Sequence, residues 1–144
     1  MKTTHDSAHL FINATNVAVA ISKGGRDGTL RSADRPEASS LIDPTQKPNP
    51  ELLFSGAYAA CFHSAMIGAA KADGTTLTDT EVHARVGLQK HAAGDSRLVV
   101  ELRAKLPGVD SVKGRELMEA AHKACPYSKA LRGEATVGLV VDSD

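Results

Sequence analysis

Residues 52–70 form the one long apolar run of the chain and constrain its fold more than any other feature. The run has the length of a membrane span, but its apolarity comes largely from alanine. Ser55, Gly56, His63, Ser64 and Gly68 also interrupt it. A bilayer rewards Leu, Ile, Phe and Val, so the composition predicts a buried central helix instead. Asn49-Pro50-Glu51 supplies its start: an N-cap side chain, a proline at the first helical position and an acid facing the positive end of the helix dipole. The helix is expected to run to about Ala72, before Gly74. Because it is apolar or small nearly all round, it needs cover on more than one face, with sheet on one side and a subunit partner on the other.

The flanking segments predict that sheet. Val17, Val19 and Ile21 alternate with Ala18, Ala20 and Ser22, and the run ends in Lys23-Gly24-Gly25-Arg26-Asp27-Gly28, which reads as strand, turn, strand. Pro36, Pro44, Pro48 and Pro50 break any regular element between residues 33 and 50, which is a loop. Val82, Ala84, Val86 and Leu88 alternate, Ala92-Ala93-Gly94-Asp95 turns, and Leu98, Val100, Leu102, Ala104 and Leu106 alternate again, as in an antiparallel hairpin with one buried face. A second helix is expected over residues 111–124, with Leu117, Ala121 and Ala124 at helical spacing. Cys125-Pro126 closes it, and Pro126 is placed to begin a further short turn. Ala135, Val137, Leu139 and Val141 predict a terminal strand joining the sheet. The class is α+β, in a single domain spanning residues 1–144.

Composition narrows the function. With 144 residues, 42% of them apolar, the chain can build one core of its own. Lys plus Arg and Asp plus Glu both total 17, which gives zero formal charge and argues against nucleic acid or an anionic membrane as partner. The opening Lys2-Thr3-Thr4-His5-Asp6 lacks a secretory signal pattern, so a cytoplasmic location is expected. In a reducing compartment a static disulfide between the two cysteines would be unusual, which leaves packing or redox chemistry for them.

Cys61 sits about ten residues into the central helix, beyond reach of the dipole at its start, so an acidified thiol there needs another positive group. Taken alone it reads as a small apolar core residue. Cys125 stands at a helix break, where N–H groups of a following turn can face the sulfur, and a buried helix-end residue is the equal alternative. Two thiols on different helices suit a peroxidatic cycle, in which one attacks the peroxide oxygen and the other reaches the sulfenic acid that results. Arg26, in the glycine turn, is the guanidinium best placed by context to favour a thiolate, although composition alone favours an exposed turn arginine. Glu51 lies almost three turns before Cys61, roughly 15 Å away at the usual rise. A carboxylate there is able to hold a long Arg26 side chain by a bidentate pair, or to serve as a plain first-turn acid. His63 and His122 lie near the two cysteines in sequence, but neither spacing makes a zinc pattern, and no metal or cofactor is expected. No nucleophile elbow, Walker loop, dinucleotide fingerprint or zinc-protease motif is present. Residue chemistry by itself leads as far as a dithiol enzyme set against a pair of packing cysteines.

Four strings taken together go further: Gly24-Gly25-Arg26-Asp27-Gly28, Asn49-Pro50-Glu51-Leu52-Leu53-Phe54, Tyr58-Ala59-Ala60-Cys61-Phe62 and Cys125-Pro126-Tyr127-Ser128. In this order they resemble the organic hydroperoxide resistance (Ohr) proteins of the Ohr/OsmC family, and the resemblance runs from about residue 15 to the final strand. It implies an OsmC-like fold, with antiparallel sheets around a central helix, in an intertwined homodimer. It also implies that Cys61 is the peroxidatic cysteine, Cys125 the resolving one, Arg26 the thiolate activator and Glu51 the carboxylate that orients Arg26. The implied substrate is an organic hydroperoxide, and the implied reductant is the dihydrolipoyl group of a lipoylated protein. The alternatives are an OsmC-branch peroxidase of broader substrate range and a redox-responsive binding module without turnover.

Overall fold

Small residues on one face of a strand let a helix lie close against it, and that pattern organises the molecule. A computed structural model describes residues 3–36, 40–43 and 45–142. In chain order they form β1 (Thr15–Lys23), a short 3₁₀ turn (Gly25–Asp27), β2 (Thr29–Ser32), α1 (Pro50–Asp73), β3 (Glu81–Lys90), β4 (Ser96–Lys105), α2 (Ser111–Ala124) and α3 (Pro126–Leu131). The strands make one antiparallel sheet in the order β2-β1-β3-β4.

The predicted alternation of β1 is present, and its inward face is the one carrying the small residues. Ala18, Ala20 and Ser22 are buried, whereas Val17 on the other face is exposed; Ile21, further along that other face, is buried as well. On β3 the inward residues Val82, Ala84 and Val86 are completely buried. Helix α1 lies across this face and packs Tyr58, Ala59, Cys61, Phe62, Met66 and Ala70 into one core cluster with Val82, Ala84, Leu117, Ala121 and Cys125.

The ends of α1 follow local chemistry. The Asn49 side chain accepts a hydrogen bond from the Leu52 N–H at 3.0 Å, Pro50 opens the helix, and Gly74 closes it at φ 78°, a left-handed conformation that glycine adopts without strain. The helix does have the length and composition of a membrane span, but here its apolar side chains form the core against β1, β3 and α2. The second flank, expected to need a subunit partner, is therefore covered in part by α2. Leu53 and Ile67 remain exposed.

Residues 33–50 carry no regular element before α1 among those described, as the prolines require; Pro44 lies outside the described residues. The terminal strand is the one expected element that is absent. Residues 134–142 pair with nothing in the sheet, and Val137, Leu139, Val140 and Val141 are 74–93% exposed. Alternation alone does not make a strand; it needs an edge to bond and a face to cover, and within one chain this segment finds neither.

Candidate active site

The long, small-residue helix brings Cys61 to the centre of the fold, where the α2–α3 corner meets it. Cys125 is at once the last cap of α2 and the first of α3, with Pro126 opening the new helix. The break turns its side chain back onto α1. Both thiols are free and buried, and the sulfurs stand 3.5 Å apart, with the Cys125 S–H directed at the Cys61 Sγ. A disulfide requires about 2.05 Å, so a shift of roughly 1.5 Å would close the bond. Burial pushes the Cys125 thiol above its usual range, and the neighbouring Cys61 adds to the rise. The N–H groups of Ser128 and Tyr127, in the first turn of α3, face the sulfur and pull the other way.

The cation comes from the glycine turn between β1 and β2. A terminal guanidinium nitrogen of Arg26 donates to the Cys61 Sγ at 3.5 Å. The Arg26 backbone N–H donates to the Ser64 Oγ at 2.8 Å, which fastens the turn to α1 one helical turn beyond Cys61. Gly25 makes this docking possible: its φ is 69°, and a Cβ there would lie 3.0 Å from the Ser64 backbone nitrogen. Arg26, Cys61 and Ser64 line one side of an open cavity of about 580 Å³, and Ala120, Ala124 and Pro126 face them from the α2–α3 corner. Its lining is small and mostly apolar, which suits an uncharged organic group. A second hollow of about 730 Å³ opens beside Tyr58, Phe62 and His122 and includes neither sulfur in its lining.

Glu51 is not brought to this site. It lies in the first turn of α1, 8% exposed, and among the described residues Arg26 forms no ion pair with Glu51 or any other carboxylate. The bidentate pair implied by the resemblance does not form within a single chain, because almost three turns of helix separate the carboxylate from the arginine's target.

The two histidines have other uses. His63 is fully buried between the Ser22 Oγ, 3.0 Å from its Nδ1, and the Thr80 Oγ1, 2.9 Å from its Nε2, and burial holds its pKa below the ordinary histidine value. His122 Nδ1 lies 2.9 Å from the Ser128 Oγ. No three His, Cys, Asp or Glu side chains converge among the described residues. Sequence reasoning missed Ser64, although a polar residue three positions after Cys61 on the same helix face was a usable signal. It also gave no sign that the Ser128 hydroxyl would meet His122.

Comparison with known proteins bears on the family and the fold that carry this arrangement. The family model described as OsmC-like protein matches residues 43–140. The chain belongs to this family. The organic hydroperoxide resistance protein of Xanthomonas axonopodis pv. citri is 36% identical to it over 132 residues, covering 86% of this chain and 92% of that protein. OhrB of Bacillus subtilis, also an organic hydroperoxide resistance protein, is 36% identical over 129 residues, covering 85% and 94%. The crystal structure of that OhrB superposes with a TM-score of 0.57 at 35% identity, over 81% of this chain and 90% of the other. A Legionella pneumophila organic hydroperoxide resistance protein superposes equally well at 32% identity over the same shares. The OsmC-like fold expected from the sequence is thus the fold observed.

Proposed function

We propose that this OsmC-like protein is a cysteine-based peroxidase that reduces organic hydroperoxides to alcohols. One observation carries the reading: two free thiols in contact at 3.5 Å, with a guanidinium donating to one of them. The names of its relatives support the substrate class.

In the proposed cycle the Cys61 thiolate attacks the outer peroxide oxygen. The O–O bond breaks, the alkoxide leaves and takes up a proton as alcohol, and Cys61 becomes a sulfenic acid. Arg26 favours the thiolate and then the departing oxygen, since a guanidinium stays charged throughout. Cys125 attacks the sulfenic sulfur, an S–S bond replaces the S–O bond, and water leaves. A dithiol, for which a dihydrolipoyl group is the proposal, reduces the disulfide and is itself oxidised, restoring both thiols. All of this chemistry resides in sulfur. A cytoplasmic setting, which keeps thiols reduced, fits the cycle.

A homodimer is part of the proposal. The exposed apolar segment 134–142 and the uncovered Leu53 and Ile67 are the surfaces a second copy would bury. Glu51 is retained as an orienting carboxylate for Arg26 in that assembly.

The test is consumption of cumene hydroperoxide by the purified protein with dihydrolipoamide. Repeated turnover by the native chain and none by Cys61→Ser are expected. Full turnover in Cys61→Ser would overturn the reading, and a single turnover without recycling would favour a redox-responsive binding module.

A further inference from the structure

Ser128 is completely buried, and its hydroxyl is shared between two other helices. The Tyr58 hydroxyl of α1 lies 2.6 Å from the Ser128 Oγ, and His122 Nδ1 of α2 lies 2.9 Å from the same atom. Tyr58 stands three residues before Cys61, so α1 presents its tyrosine and its cysteine on neighbouring positions of one face. Ser128 stands three residues after Cys125, and its backbone N–H is one of the two that face the Cys125 sulfur. One hydroxyl therefore joins the helix that carries Cys61 to the turn that carries Cys125.

The protons can be arranged in a single direction. The buried Tyr58 phenol keeps its proton and donates to the Ser128 Oγ, and the Ser128 hydroxyl donates to the Nδ1 lone pair of neutral His122. Burial, reinforced by the nearby Arg132 guanidinium, disfavours the charged form of His122. Arg132 also donates to the His122 carbonyl at 2.9 Å, which holds the end of α2 in the same place. Every group of the chain is satisfied, and a fully satisfied buried network fixes one geometry.

We propose that Ser128, held between Tyr58 and His122, is a positioning residue for the resolving step: it holds the first turn of α3 so that Cys125 meets Cys61 at bonding approach. The proposal rests on the peroxidase reading. In the step concerned, the Cys125 sulfur gives an electron pair to the sulfenic sulfur of Cys61, the S–O bond breaks, and water departs with the thiol proton. Cys125 is oxidised and Cys61 reduced. Ser128 touches no reacting atom through its side chain. It acts through the N–H it presents to Cys125 and through the register of α3 on α1. Attack on peroxide by Cys61, assisted by Arg26 from the glycine turn, does not depend on it.

The experiment separates the two half-reactions. Native protein, Ser128→Ala and Tyr58→Phe are each given one equivalent of cumene hydroperoxide, with dimedone present to trap sulfenic acid, and intact mass is followed in time. Both variants remove the same hydrogen bond from opposite ends with little change of shape, so failure of one to fold leaves the other to decide. Loss of this bond is expected to slow disulfide formation roughly tenfold, with sulfenic acid trapped in proportion and its rate of formation unchanged. Disulfide closure at the native rate in a folded variant would overturn the proposal and leave the peroxidase reading standing. Native protein that forms neither sulfenic acid nor disulfide would remove both.

Discussion

Arg26 has no carboxylate partner among the described residues, and its charge points at a buried sulfur. A charged hydrogen bond in such a setting contributes more than a neutral one, so Arg26→Ala is expected to slow peroxide attack by about 2–3 kcal/mol, or roughly 30- to 150-fold. Stopped-flow reaction with cumene hydroperoxide checks this, and a variant reacting at the native rate would exclude the role. The local chemistry of Cys61, Cys125 and Arg26 left packing cysteines and an exposed turn arginine open, and it was the ordered strings holding them that singled the three out. Glu51 was legible as a first-turn acid, whereas the pair with Arg26 that the resemblance implies is not formed among the described residues. Spacing along a helix states how far apart two residues are, and ten positions put Glu51 almost three turns from the sulfur that Arg26 faces.

At the level of elements, His63 ties α1 to β1 through Ser22 and to the start of β3 through Thr80. Burial lowers its pKa in the fold below the unfolded value, so the unfolded chain binds the extra proton first. Stability is complete above the ordinary histidine pKa of about 6.5 and falls as pH drops below it, toward the lower folded value. Denaturant unfolding at pH 7.5 and pH 5.5 is expected to show the loss, and His63→Gln is expected to diminish the difference between the two. A flat profile in the native protein would contradict this coupling. The elements themselves were mostly legible. Caps fixed α1, the two-residue period fixed β1, β3 and β4, and Cys125-Pro126 fixed the corner. Which face of β1 turns inward was not, because hydropathy favours the branched Val17 and Val19, while close packing under α1 selects Ala18, Ala20 and Ser22.

On the scale of the whole molecule, the terminal segment is the stretch left uncovered, with four large apolar side chains exposed. A chain ending at Gly133 keeps every strand and helix described above and loses the exposed Val137, Leu139, Val140 and Val141. It is expected to sediment as a monomer where the full chain sediments as a dimer; a dimer of unchanged affinity would show that the segment plays no part in assembly. The sequence held the strand pattern of this segment and withheld its partner, since a period of two records a face to be covered without recording by what. Until it is covered, the stretch 135–141 is a seven-residue window of alanine, threonine, glycine, leucine and valine, with no charge and no proline. Such a window left open invites fibre-like stacking with its own kind, so solubility is expected to depend on what covers it.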